Sequence, residues 1–287
     1  MTAPAARRIV LTGATGQIAS LMARYLAPRH RVILTSRTAR PGARRPGLTH
    51  VTCDYGVYES LVDAFRGADA LFVVTNDPTR PEHDRNVVRA AVEASVGHIV
   101  KLSAAAVLDS AAHDLITEWQ RGNEERIRAS GIPWTMIRPR SFMSHALGWA
   151  PGIRSGGTTY ALHPHSRNAC VAPEDIAEVS ARLLGDTGHH FRSYQLTGPQ
   201  PLSAHEQSAV LSQVLGRPLV CRELTPEEAH ARYARRYSPA MADALIASAG
   251  RQLAGAKAHT TDTVERLTGR PATTFARWAA DHRERFA

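Results

Sequence analysis

The stretch Ile9-Val10-Leu11-Thr12-Gly13-Ala14-Thr15-Gly16-Gln17-Ile18-Ala19 decides the fold. A short apolar run stops at Gly13, and Ile18, Leu21, Met22, Tyr25 and Leu26 then recur at helical spacing. Gly13 permits a tight turn, and Gly16 lets the backbone come close to a bound group. Ala19 is small where the helix must pack on the strand. The helix start presents unpaired N–H groups and the positive end of the helix dipole, which together favour a phosphate. A bare glycine pair at this spacing is a weak signal. Its place directly after a strand and at the start of a helix predicts a dinucleotide held by its diphosphate.

Working outward, strand and helix signals alternate. Arg31 to Thr35, Leu48 to Thr52, Ala70 to Thr75, His98 to Ser103 and Pro133 to Arg138 read as further strands. Glu82 to Ser95 and Asp114 to Ser130 read as helices, the second stopped by Gly131. Apolar runs separated by amphipathic helices imply a parallel sheet covered on both faces. Right-handed crossovers then make it a doubly wound, Rossmann-type α/β fold. After Pro139 the rhythm breaks into a glycine- and proline-rich stretch to residue 165, read as loop. Asn168 to Ala172 and Pro173 to Leu184 return as a short strand and a helix, and the chain from Ser203 is mostly helical, with a strand near Pro218 to Cys221. The expected division is a nucleotide-binding domain of residues 1–141 plus about 166–190, and a smaller, mostly helical cap of 142–165 plus 191–287.

Composition narrows the function classes. The chain has 287 residues, 43% of them hydrophobic, enough for a sizeable core. No run approaches the ~18 apolar residues of a membrane span, and no apolar signal segment precedes the first strand. Cys53, Cys170 and Cys221 are widely spaced and odd in number, which suits reduced thiols in a cytoplasmic protein. The formal charge of +9 invites a nucleic-acid reading, but the arginines are scattered and Lys101 and Lys257 are the only lysines. The expected partner is a small molecule, not nucleic acid or membrane, for a monomer or a homodimer. His163 with His165, and His189 with His190, lack a carboxylate or cysteine at ligand spacing, so no metal is expected. No G-x-S-x-G elbow supports a hydrolase.

The second strand ends Leu34-Thr35-Ser36-Arg37. An acidic residue here would bind the ribose 2′-hydroxyl of NAD. Arg37 can instead fork onto a 2′-phosphate, assisted by Ser36, Thr38 and Arg40, which predicts NADP(H). Asp54, after the third strand, can accept from an adenine amine or can simply shape a turn.

These residues resemble the short-chain dehydrogenase/reductase superfamily and, within it, the atypical NmrA-like branch. The resemblance rests on the glycine motif Thr12 to Ala19, Asp54, and Ser60 to Phe72. It extends to Glu124-Glu125-Arg126-Ile127-Arg128-Ala129-Ser130-Gly131-Ile132-Pro133-Trp134-Thr135-Met136-Ile137-Arg138-Pro139, to Pro173-Glu174-Asp175-Ile176-Ala177, and to Leu267-Thr268-Gly269-Arg270-Pro271. It implies NADP(H) binding, a substrate cleft, and either a reductase or a redox sensor that binds the cofactor without turnover. The cofactor set it implies is Gly13, Thr15, Gly16, Gln17, Ile18, Ser36, Arg37, Asp54, Tyr55, Thr75, Asn76, Ser103 and Pro139.

Typical members of the superfamily pair a Tyr with a Lys four residues later. Here the residues four before Lys101 and Lys257 are Gly97 and Leu253, so no such pair exists. Trp119, on the corresponding helix, is too weak an acid to replace the tyrosine. Three substitutes stand out: Ser103, matching the family's polarising serine, His113, and His145, whose imidazole titrates near neutrality. Trp119, Phe142, Met143 and Trp149 can wall a flat aromatic substrate, or can be ordinary core. The expectation is an NADPH-dependent reductase passing hydride to a ketone or quinone carbon of a bulky, largely apolar molecule, such as an aromatic polyketide-type metabolite of antibiotic biosynthesis. The rivals are a non-catalytic NADP-binding sensor and, behind it, an isomerase or lyase.

Overall fold

The computed structural model describes residues 6–38 and 46–287. Arg40, Arg44 and Arg45 fall outside the described residues. In chain order the first elements are β1 (Arg8–Leu11), α1 (Gln17–Leu26), β2 (Arg31–Ser36), β3 (Leu48–Thr52), α2 (Tyr58–Phe65), β4 (Ala70–Val73), α3 (Pro81–Glu93), β5 (Ile99–Leu102), α4 (Leu115–Arg128) and β6 (Trp134–Pro139). After them come α5 (Ala150–Gly156), β7 (Thr158–Ala161), β8 (Arg167–Asn168), α6 (Pro173–Gly185), β9 (Arg192–Leu196), β10 (Leu202–Ser203), α7 (Ala204–Leu215) and β11 (Val220–Glu223). The chain closes with α8 (Pro226–Ala234), α9 (Pro239–Leu253), α10 (Thr263–Thr268) and α11 (Phe275–Asp281).

The main sheet has seven strands in the order β3-β2-β1-β4-β5-β6-β9. The ladders from β3 across to β6 are all parallel. The order reverses between β1 and β4, as in doubly wound folds, and ligands of such sheets lie outside the carboxyl ends of the strands at that reversal. Burial explains the ladder. β4 and β5 are buried at every position, and only Arg8 of β1 and Arg31 of β2 escape burial in theirs. The hydrophobic sequence of a fully covered sheet needs no alternation.

By contacts the chain divides into two units. The first comprises Met1–Ala104, Trp119–Arg138 and Ile176–Tyr194; the second comprises Ala105–Glu118, Pro139–Asp175 and Gln195–Ala287. The division differs from the expected one mainly at two stretches, each with a physical reason, and shifts the boundaries slightly at 139–141 and 191–194. Residues 105–118 go with the second unit, where Arg251 pairs with Asp109 at 3.3 Å and with Asp114 at 2.7 Å. Residues 166–175 go with it too, because buried Asp175 accepts hydrogen bonds from Arg270 and Thr273.

In the first unit the core joins Val10, Ile33, Leu71 and Ile99 of the sheet to Leu61 and Phe65 of α2 and Val87 and Ala91 of α3. In the second unit, Met143, Ala146, Ile153, Leu211, Phe275, Trp278 and Phe286 form a separate core. The helices there begin on strong caps: Ser203 and Thr225 each complete a capping box, with Glu206 and Glu228. The stretch after Pro139, expected as loop, instead forms a 3₁₀ turn at Met143–Trp149, then α5 and β7. β7 pairs in parallel with β11, a long-range pairing that local sequence cannot announce. Of the expected strand Asn168 to Ala172, only the Arg167–Asn168 end enters a ladder, antiparallel to β10.

Candidate functional site

The first unit builds the nucleotide turn as the glycines require. Gly13 sits at φ +66°, and a Cβ there would lie 2.7 Å from Val74 Cγ1. Only glycine fits both constraints. Gly16 caps α1 in extended conformation and donates to the Gly13 carbonyl at 2.8 Å. No side chain caps α1 and no acid stands in its first turn, so the leading amides of Gln17 and Ile18 keep their capacity for an external anion. Thr15, Gly16 and Gln17 are exposed, as a phosphate turn must be. This cradle fits a dinucleotide diphosphate.

The neighbouring strand ends are tied to the turn. Thr12 donates to the Phe72 carbonyl at 2.9 Å and accepts from the Val74 amide at 2.9 Å. Tyr55 donates to the Val74 carbonyl at 2.8 Å, so its hydroxyl braces the end of β4. Asp54 accepts from the amide of Gly56 at 2.8 Å, which makes it a turn residue with one carboxyl oxygen engaged. Ser36, buried at the end of β2, donates to the Thr38 carbonyl, while Arg37 projects into solvent. Asn76 is exposed just past β4, and Pro139 is buried as the last residue of β6.

Thr75 leads to a buried polar cluster the sequence did not reveal. Its hydroxyl donates to Asp84 Oδ1 at 2.5 Å, and Trp119 Nε1 donates to Asp84 Oδ2 at 2.7 Å. Lys101, fully buried, lies 5.8 Å from the Trp119 ring centre and donates from Nζ to the Leu102 carbonyl at 2.5 Å. Burial pulls its pKa down to about 8, against the opposing pull of Asp84 and Glu124. The lysine that lacks a tyrosine partner in sequence is therefore spent inside the first unit.

Ser103 lies just past β5 and is buried. Its hydroxyl donates to Glu124 Oε1 at 2.6 Å. Glu124 also accepts from Arg138 at 2.8 and 2.5 Å and from Arg128 at 2.7 Å. Burial pushes the Glu124 carboxyl up, but the bonds from Arg138 and Ser103 outweigh it and hold its pKa below the usual carboxylate range. With its one proton given to a carboxylate, Ser103 offers a ligand an acceptor oxygen rather than a donor.

The second unit holds the other candidates. His113 is largely exposed and bonds Glu118 through Nδ1 at 2.9 Å, so the structure gives it a surface ion-pair position rather than an enclosed acid's place. His145 stacks on Phe142, with centroids 5.6 Å apart and planes at 17°. Its imidazole reaches solvent, yet the protein mass around it and then the Lys257 ammonium hold its pKa below the ordinary histidine value. Phe142 is half-buried. Met143 is buried in the second core, the packing position that the sequence also allowed it. Trp149 packs on the same core and donates to the Tyr160 carbonyl at 2.8 Å. Among the described residues, no group of three His, Cys, Asp or Glu could hold a metal ion, and no helix is long and apolar enough to cross a membrane.

Known proteins bear on this geometry. Residues 13–187 match the family described as NAD(P)H-binding. The chain is 48% identical to the (4-alkanoyl-5-oxo-2,5-dihydrofuran-3-yl)methyl phosphate reductase of Streptomyces griseus, over 97% of this chain and 99% of that one. It is 32% identical to the NAD(P)H azoreductase of Xenophilus azovorans, again over 97% and 99% of the two chains. The NADPH-dependent quinone oxidoreductase of Escherichia coli, solved in complex with NADPH, superposes with a TM-score of 0.83 over 96% of this chain and 99% of that one, at 24% identity, a likeness of fold. Glycine turn, strand order and these likenesses agree: the chain is an oxidoreductase that belongs to the NAD(P)H-binding family.

Proposed function

We propose that the protein is an NADPH-dependent reductase of an electron-poor, conjugated carbonyl compound, of the class that includes acylated furanones and quinones. The observation that carries this reading is the Ser103–Glu124 bond of 2.6 Å, seen in a chain without a Tyr-x-x-x-Lys pair. A simple ketone needs a proton at oxygen as the alkoxide forms, and a positioned acid contributes ~10²–10⁴-fold there. In this chain the Ser103 proton is given to Glu124, and the Trp119 N–H is given to Asp84. A conjugated acceptor needs less help, because its reduced form is a delocalised enolate or hydroquinone anion.

When bound, the reduced nicotinamide supplies two electrons and a hydrogen as hydride. The chain's own residues bind and orient. The amides after Gly16 would hold the diphosphate, and Arg37 would meet a 2′-phosphate in place of the missing acid. Asn76 and Ser103, past the carboxyl ends of β4 and β5 in the first unit, would line the edge where a nicotinamide would lie. Water returns the proton to the enolate. The curated relatives, a furanone phosphate reductase and an azoreductase among them, support electron-poor π systems as the acceptor class.

The test is NADPH oxidation by the full chain against an acylated furanone, a quinone and an unconjugated ketone. Turnover of the first two and not of the third is expected. Equal turnover of the unconjugated ketone would overturn the reading. Tight NADPH binding with no turnover of any acceptor would favour the sensor, which the engaged Ser103 proton also suits.

A further inference from the structure

Within the second unit, among the described residues, positive charge gathers at one place without matching negative charge. Arg140 follows the last residue of β6, at the carboxyl edge of the sheet where ligands of such folds lie. Its main chain is pinned by the bond from its amide to the Leu196 carbonyl at 2.8 Å. Its guanidinium makes no hydrogen bond and no ion pair among the described residues, and its Nε is buried with no partner. Burial lowers its pKa, and Asp109 alone is seen to oppose that. Asp109, however, is already paired with Arg251.

Lys257 is brought to the same segment by the backbone. The Lys257 carbonyl accepts from the Ala169 amide at 2.9 Å, and Val171, two residues on, accepts from Met143 and donates to Ser141. Strand-like stretches 140–143 and 169–171 thus lie side by side with Lys257 on the far edge. Its ammonium has a hydrogen bond to Ser248 Oγ at 2.7 Å and no ion pair among the described residues. Burial lowers its pKa to about 8, with Arg251 and Arg140 adding to the effect. The carboxylates at hand, Asp109 and Asp114, are both taken by Arg251. His145 stands near enough for the Lys257 charge to act on its imidazole.

A half-buried cation without a carboxylate partner is costly, and natural structures keep one where something else supplies the anion. A planar fork whose charge acts on a compact ammonium matches a phosphate ester, which offers several acceptor oxygens and nearly two negative charges. We propose that Arg140 and Lys257, flanked by His145, form a subsite for the phosphate monoester group of the acceptor. The inference rests on the reductase reading and names the end of the substrate remote from the reacting carbons.

The experiment uses the full chain with NADPH and two acceptors that differ only in the ester: an alkanoyl furanone methyl phosphate and its hydroxymethyl counterpart. In wild type, kcat/KM is expected to favour the phosphate by at least about 10-fold, and Arg140→Gln or Lys257→Met to reduce that ratio about 10-fold each. Arg140→Lys keeps the charge and should retain most of the preference. Calorimetry with hexyl phosphate reads the subsite without turnover: wild type binds, and Arg140→Gln binds about 10-fold more weakly. A wild type that reduces both acceptors equally, or variants that keep the full preference, would overturn the subsite and leave the reductase. No turnover of either acceptor, with hexyl phosphate binding intact and sensitive to Arg140→Gln, would overturn the substrate reading and leave the anion site. No binding of hexyl phosphate to a folded, NADPH-binding wild type would also overturn the subsite.

Discussion

Ser103 donates its hydroxyl proton to Glu124 across 2.6 Å, and Glu124 is the shared acceptor of Arg128 and Arg138 as well. The carboxylate is therefore the hub of a buried network and the serine is one of its spokes. Ser103→Ala removes one bond from a carboxylate that keeps two arginines, and should cost about 1 kcal/mol of stability. Glu124→Gln leaves Arg138 buried beside a neutral group and should cost about 3–5 kcal/mol. Denaturant titration of both variants measures the difference. If Ser103→Ala lowers kcat by three orders of magnitude with binding intact, the serine is a donor after all.

Gly13 has no room for a side chain, since its φ is +66° and Val74 Cγ1 stands 2.7 Å from where a Cβ would be. Gly13→Ala should destabilise the first unit by about 1–3 kcal/mol, and NADPH should rescue less of the melting temperature than in wild type. Thermal melts with and without cofactor check both effects.

Arg37 is exposed at the end of β2, where no acid is present to greet a ribose hydroxyl. Arg37→Ala should lower the preference for NADPH over NADH about 10–100-fold, mostly through KM for NADPH. Steady-state kinetics with the two cofactors decides it. A preference that survives unchanged would remove Arg37 from the 2′-phosphate site.

Lys101 has its pKa lowered by burial from 10.5 to about 8. The sign follows from proton counts. Between about pH 8 and 10.5 the unfolded chain holds the proton and the folded chain has lost it, so stability due to this group rises with pH. Below about pH 8 the penalty of a buried ammonium is carried in full. Lys101→Met lacks that penalty at every pH. The stability of wild type minus that of Lys101→Met should therefore rise from neutral pH toward pH 10, as read by urea unfolding at stepped pH. Subtracting the variant cancels Tyr55, Cys53 and Cys170, whose raised pKa values pull the other way at alkaline pH.

Asp175, fully buried, joins two sequence motifs far apart in the chain. Its carboxyl accepts from the Arg270 guanidinium and from the Thr273 amide and hydroxyl, each at 2.8 Å. Asp175→Ala should cost about 3–5 kcal/mol, because Arg270 and the Thr273 amide lose their shared acceptor. Differential scanning calorimetry measures it, and a loss below 1 kcal/mol would show that the two segments hold together without the carboxylate.

Much was legible by reading along the chain. The strand–turn–helix at Ile9 to Ala19 is local, and its glycines are demanded by backbone geometry alone. The parallel order followed from apolar runs separated by amphipathic helices. β9, Arg-Ser-Tyr-Gln-Leu, escaped notice because it is an edge strand, exposed at Arg192 and Ser193, and carries no apolar pattern. β7 escaped because its partner β11 lies sixty residues on in the chain, and pairing at that range is set by packing rather than by local propensity.

By itself the sequence determined the nucleotide turn, the sheet that positions it and the absence of a tyrosine–lysine pair, since each depends on residue type at short spacing. What only the tertiary structure decided is the state of the buried charges. Glu124 accepts from Ser103, Asp84 accepts from Thr75 and Trp119, and the Arg140 Nε is left without a partner among the described residues. These residues are distant in sequence, and the energy of a charge in a protein depends on what surrounds it in space. A string of residues can name the titrating groups, but only the folded chain brings them within hydrogen-bond reach or leaves one of them unpaired.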